Sequence, residues 1–199
     1  MEMNDDFLER LSHERCRQAH GILRRSGIVE AWRQAGAEVN VVGSLRMGLM
    51  MKHRDIDLHI YSEPLTIEGS FAVMARVAAC PAIGRIECRN LTATDERCIE
   101  WHAAWAEPDG ETWTIDMIHI ERGSRYDGYF ERMADGVVRA ADDEMRRAIL
   151  RLKWETPDTE HIMGVEYYRA VIEGGVRTYD GLTAWRAANP VCGVVEWIP

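Results

Sequence analysis

The chain reads as an α/β (α+β) protein: a mixed twisted sheet of about five strands flanked by helices, with a C-terminal helical region. Three observations lead there. Strand-like runs recur at 37–43, 55–61, 84–91, 97–106 and 111–120, rich in β-branched and aromatic residues. Apolar stripes at helical spacing occupy 5–35, 66–80 and most of the chain after 140. Glu107-Pro108-Asp109-Gly110 sits between two alternating runs, and Asp-Gly in that setting is a strong hairpin signal. The expected division is a core with its N-terminal helices over 1–125 and a helical region over 126–199, packed on or over the site.

Each element has its own reason. Leu8, Leu11, Ala19, Ile22 and Leu23 form the stripe of the first helical stretch, interrupted by Arg15, with a break expected at Gly21 or Gly27. A strand over 37–43 runs into a short helix near 45–50. A second strand runs from Asp55 to Tyr61. Residues 66–80 predict a helix with Phe71, Met74, Val77 and Ala78 inward, and Pro81 as the stop. In 97–106, Ile99, Trp101, Ala103 and Trp105 share one face, read as core; Cys98, Glu100 and His102 share the other. Glu100 reads as an edge-exposed residue rather than an acceptor-side acid. Met145, Ala148, Ile149 and Leu152 give a helical stripe that ends before Pro157. Asp158 or Thr159 is the expected cap of the next helix, in which Met163, Tyr167, Ala170 and Val171 line up before Gly174-Gly175. Leu182, Trp185 and Arg186 mark a last short helix.

Composition narrows the class. A chain of 199 residues with 46% hydrophobic content supports one good core. No apolar run approaches the roughly 20 residues that span a membrane. The acidic N-terminus has no signal-peptide profile. The five cysteines are scattered and include no Cys-x-x-Cys pair, which favours reduced thiols. The cytoplasm is therefore the expected compartment. The net charge of −9 argues against a long nucleic-acid partner, because duplex binding needs Lys and Arg on the phosphates. Oligomeric state is left open.

The chemistry lies at Asp55-Ile56-Asp57. On a strand, Asp55 and Asp57 project to one face while Ile56, Leu58 and Ile60 point to the core. Two adjacent carboxylates repel unless a cation sits between them, and Mg²⁺, with Mn²⁺ as an alternative, is the oxygen-seeking ion that suits them. Gly43-Ser44 ends an apolar run and opens a helix, whose free N–H groups form an anion site. Asp116 is a lone acid amid the apolar run 112–120. An ionised carboxylate there is costly unless compensated, and pairing of the two strands brings it to the same ions.

Gly43-Ser44, ten intervening residues, Asp55-Ile56-Asp57 and then Asp116 on a later strand resemble the nucleotidyltransferase superfamily that includes DNA polymerase β. Arg46 and Gly48 match the Gly-Ser-x-Arg-x-Gly variant of small members. The likeness covers roughly residues 37–121, and it departs at Lys52-His53-Arg54, where small members often carry Ser before the first Asp. The resemblance implies transfer of a nucleoside monophosphate from a nucleoside triphosphate, with pyrophosphate released. Two divalent ions would be held by Asp55, Asp57 and Asp116, with Asp116 as general base. Gly43, Ser44, Arg46 and Lys153 are the candidate nucleotide contacts, and Tyr167 or Tyr168 the candidate stacking residue. ATP is the favoured donor and a hydroxyl-bearing small molecule the expected acceptor. A protein acceptor, as in antitoxin-like members, and a non-catalytic nucleotide-binding regulator are the alternatives; tailing of RNA ranks behind them.

Overall fold

The computed structural model describes residues 4–199. Asn4 accepts from the Phe7 N–H at 2.9 Å and so caps α1 (Asp5–Ser26). The break falls at Gly27, whose φ of 67° admits glycine readily and turns the chain into α2 (Ile28–Gln34). Next come β1 (Glu38–Val41), α3 (Gly43–Met47), β2 (Asp55–Ser62) and α4 (Ile67–Ala78). Then follow β3 (Ile83–Asn90), β4 (Cys98–Ala106) and β5 (Thr112–Glu121). Four helices complete the chain: α5 (Tyr129–Ala140), α6 (Asp143–Glu155), α7 (Gly164–Ile172) and α8 (Tyr179–Ala188).

The five strands form the predicted mixed sheet in the order β1-β2-β5-β4-β3. Only β2 and β5 run parallel; the other neighbours are antiparallel. The turn at 107–110 closes the β4–β5 hairpin, with Glu107 N–H donating to Glu111 O at 2.8 Å. One face of the sheet carries Ile56, Leu58, Ile60, Ile99, Trp101, Ala103, Ile115 and Met117, buried under α2, α4 and the C-terminal half of α1. The tryptophans at 101 and 105 are therefore core. Burying each aliphatic side chain of this kind contributes about 1.5–3 kcal/mol. The opposite face carries Asp55, Asp57 and His59 of β2 and Thr114 and Asp116 of β5, with a small apolar cluster of Tyr61, Cys98 and Ile120 beyond them.

A second apolar cluster is mostly helical. It joins Leu8 of α1, Met47, Leu49 and Met51 around α3, and the inner faces of α5, α6, α7 and α8. The sheet and this cluster meet along the chain between Gly43 and Asp55, which is where the candidate residues lie.

Three expectations need correction. On α4 the buried residues are Ser70, Val73, Met74 and Val77, while Phe71 is 49% exposed and rests edge-on against Trp101. The hydroxyl of Ser70 takes an inward place because the Trp101 indole N–H donates to it at 2.9 Å. Glu100 is not at an edge: β4 lies between β5 and β3, and Arg89 donates to the Glu100 carboxylate at 3.0 Å. Asp158 and Thr159 cap nothing. The helix starts instead at Gly164, where the Met163 N–H donates to Glu166 at 2.8 Å, and residues 157–163 form a loop.

Candidate active site

The site grows from the register of two strands. Parallel pairing sets Asp57 directly beside Asp116 and Asp55 beside Thr114. Asp55 and Asp57 alternate with buried Ile56 and so face the same way. All three acids line one cavity of about 450 Å³, together with Gly43, Ser44, His59, Phe130 and Tyr168, a size typical of small-molecule sites. The sequence expectation that Asp116 joins the pair is met in space.

The electrostatics of this group are unbalanced. Among the described residues, no side-chain hydrogen bond or ion pair reaches Asp55 or Asp57. Burial, then Asp116 and then Asp55, push the Asp57 carboxyl up to about 7. Burial also raises Asp55, with Asp116 adding to the rise and His53 opposing it. Asp116 alone has a partner, His102 Nδ1 at 2.7 Å from the adjacent strand. Sequence reading had put His102 on the correct face of β4, but only the β4–β5 register shows that it stands opposite Asp116.

Do these acids suit a divalent ion? Among the described residues, no three His, Cys, Asp or Glu side chains converge closely enough to hold a metal as they stand. That is compatible with Mg²⁺, which is commonly bound by one or two carboxylates and completed by substrate phosphates rather than caged by protein. The donor set is hard oxygen, and among the described residues two of its members have no hydrogen-bond or ion-pair partner. Gly43 keeps the space open: a Cβ there would fall 1.9 Å from Asp57 Oδ2. The residues fit the group.

At the Ser44 end of the cavity the fixed positive charge is that of Lys153 rather than of a helix terminus. Helix α3 is only 5 residues long, too short for much of a dipole. Lys153 Nζ donates to Ser44 Oγ at 2.9 Å, to Leu49 O at 2.9 Å and to Tyr168 OH at 3.1 Å. Its three donors are thus all committed, which fixes an ammonium beside the Ser44 hydroxyl and next to Asp55 in a smaller adjoining cavity. Both tyrosines considered for stacking are buried. Tyr167 donates to Thr156 Oγ1 at 2.8 Å, and only Tyr168 borders the main cavity.

Arg46 is not brought to the site. Its guanidinium forks onto Asp135 of α5 at 2.8 and 3.0 Å and reaches Val41 O at 3.3 Å. It ties α3 to α5. We expect Arg46→Gln to lower stability by about 0.5–1 kcal/mol, as for a half-exposed bidentate pair, while leaving nucleotide affinity unchanged. Thermal unfolding and ligand titration on the same sample check both halves; weaker nucleotide binding would return Arg46 to the site.

Other cavity residues carried no sequence signal. His59 and Phe130 form a ring contact at 5.1 Å. His59 sits beside buried Glu131, which accepts from Tyr61 OH at 2.9 Å. Burial holds the His59 imidazole down at about 4, so it is neutral at physiological pH. His161, Ile162 and Met163 come from the loop misread as a helix start.

Comparison with known proteins supports the fold. No protein-family model matches the chain, and no curated protein matches it. Solved structures do. The poly(A) polymerase complex GLD-2–GLD-3 is similar with a TM-score of 0.59 and 12% identity, over 86% of this chain and 58% of that one. A cytoplasmic RNA terminal U-transferase gives 0.57 and 14%, over 84% and 52%. The Cid1 poly(U) polymerase, with MgGTP bound, gives 0.60 and 14%, over 84% and 54%. The chain thus spans little more than half the length of these structures. It shares the fold of these polymerases over most of its own length.

Proposed function

We propose that this chain, on a fold it shares with poly(A) and poly(U) polymerases, is a nucleotidyltransferase. It moves a nucleoside monophosphate, with AMP from ATP favoured, to a hydroxyl of a small acceptor and releases pyrophosphate. The observation that carries the reading is the meeting of three strand-borne acids and Ser44 around one cavity, with Lys153 bonded to Ser44 from the small cavity adjoining it. Neither half alone would single out nucleotide chemistry.

The division of labour follows from charge. Asp55, Asp57 and Asp116 would hold two Mg²⁺ (or Mn²⁺) ions, which would supply charge stabilisation for the phosphoryl and leaving oxygens. Ser44 holds the outgoing phosphates, and the Lys153 ammonium fixed beside it offsets their charge. Asp116 accepts the proton of the acceptor hydroxyl, and His102, hydrogen-bonded to it, fixes the orientation of its carboxylate. Residues 126–199 form the helical region that supplies Lys153 and covers the site. Beyond placing these groups the protein has little covalent work to do.

A second reading makes the 3′-hydroxyl of an RNA the acceptor, because solved structures with this fold include RNA-tailing enzymes. The net charge of −9 weighs against it. Pyrophosphate release measured with a short oligoribonucleotide, against a panel of hydroxylated small molecules, separates the two.

Titration with ATP, CTP, GTP and UTP, each in Mg²⁺ and in EDTA, tests the proposal itself. Metal-dependent binding of at least one is expected. Lys153→Gln should weaken it about 10- to 100-fold, the loss of a charge-assisted contact of about 1.5–3 kcal/mol. Equal affinity in wild type and Lys153→Gln would remove the phosphate cradle from the argument.

A further inference from the structure

The triplet Lys52-His53-Arg54 takes no part in the transfer just described, yet the fold builds something around it. At the N-terminal end of β2, beyond Asp55, lies a cavity of about 440 Å³. Arg15, Lys52, His53 and Arg54 wall it, with Leu11 and Trp154 as apolar sides and Asp158 at the rim. His53 also borders the main cavity and the small one at Lys153, so the three adjoin.

The cations here are under-compensated. Arg15, the residue that broke the apolar stripe of α1, donates to neutral Gln18 at 2.9 Å. Arg54 pairs with Glu111. Lys52 pairs at 2.8 Å with Asp158, a side chain 84% exposed and so well screened. The Nε atoms of both Arg15 and Arg54 are buried without any hydrogen-bond partner. A buried donor left without an acceptor is destabilising. Burial first, and then the neighbouring Arg54, hold the Arg15 guanidinium below its ordinary value. Of the two guanidiniums only Arg54 has an acid partner, Glu111, and Asp158 at the rim is the one acid that lines the groove itself.

We propose that this groove is a phosphate site, taking a phosphate or polyphosphate anion between Arg15 and Arg54 with Lys52 at its rim. Paired guanidiniums match phosphate oxygens in fork geometry, and the adjoining cavity, lined by His53, Lys153 and Asp55, connects the groove to the acid site. Two sources offer this chemistry: the distal phosphates of the donor, leaving as pyrophosphate, or a phosphate carried by the acceptor.

Calorimetric titration of the full chain with inorganic pyrophosphate, in EDTA and low salt, reads the site directly. Binding is expected in wild type. It should weaken about tenfold in Arg15→Gln, weaken also in Lys52→Gln, and stay unchanged in Arg139→Gln, an exposed arginine of α5. Displacement of pyrophosphate by ATP assigns the groove to the donor's distal phosphates. Simultaneous binding of both assigns it to a phosphate on the acceptor. No pyrophosphate binding, or equal affinity in wild type, Arg15→Gln and Lys52→Gln, overturns the proposal. Because the titration is metal-free, failure of the nucleotidyltransferase reading would leave its result unaltered, and the two failures are distinguishable. If Arg15→Gln does not fold, Lys52→Gln carries the comparison.

Discussion

Asp57→Asn is expected to lower turnover on the order of 10³-fold while raising the stability of the metal-free protein. The first effect follows from losing a carboxylate at the centre of the acid group, worth several kcal/mol in a charge-stabilised transition state. The second follows from linkage. Asp57 titrates at about 7 in the fold, against an ordinary 3.8. Between those values the folded protein holds a proton that the unfolded chain has released, so stability falls as pH rises through the window. Below about 3.8 the penalty is absent, and above about 7 it is complete. Asparagine removes it. In EDTA at pH 8 the variant should therefore melt several degrees above wild type, at about 2–4 °C per kcal/mol for a chain of this size. At pH 4 the two should nearly coincide. Mg²⁺ should raise the wild-type melting temperature at pH 8 and leave the variant much less affected. A variant that melts below wild type at pH 8 in EDTA would mean that the three acids do not crowd one another. Substantial residual turnover would remove the metal-centred mechanism.

How much of this was legible in the chain depends on the range of the interaction involved. Asp55, Asp57 and Asp116 could be found because a strand has a strict period of two, so a lone acid among apolar neighbours announces its face. The strands and the 107–110 turn were legible for the same local reason. Lys153 was legible only as a candidate, and Arg46 looked the stronger by proximity to Gly43-Ser44. The fold inverts their positions in space: Lys153 arrives at Ser44 from α6, and Arg46 is drawn off by Asp135. Nothing in the spacing of either residue encodes that exchange. His102 became visible only through strand register, which also depends on distant pairing. The 157–163 loop was misread because Asp and Thr after a proline are good capping residues by propensity, whereas buried Glu166, held by Arg186 at 2.7 Å, sets the real start of α7. Helix α5 was not delimited in the sequence reading, although Phe130, Met133, Ala134 and Val137 follow helical spacing.

Gly43→Ala should be the most damaging small substitution in the chain, and its cause can be separated into two parts. The backbone at Gly43 has φ of 62°, which costs a non-glycine residue about 1–2 kcal/mol. The new methyl would also lie 1.9 Å from Asp57 Oδ2 and 2.7 Å from its Cγ, so the carboxylate has to leave its place. Gly48→Ala is the matched control, with φ of 66° and Arg146 Nη2 as nearest atom at 3.5 Å. It carries the same backbone strain without a collision. Both variants should lose a few degrees of melting temperature, about 2–4 °C per kcal/mol. Only Gly43→Ala should also lose Mg²⁺-dependent stabilisation and drop turnover by about 10²-fold, since displacement of a reacting group by about 1 Å costs that much. Equal activity in the two variants would show that Asp57 can move without consequence, and its position would then no longer explain why a glycine stands before Ser44. A selective loss in Gly43→Ala would give the Gly-Ser turn a second duty: besides presenting Ser44 to phosphate, it leaves empty the volume in which the central carboxylate stands.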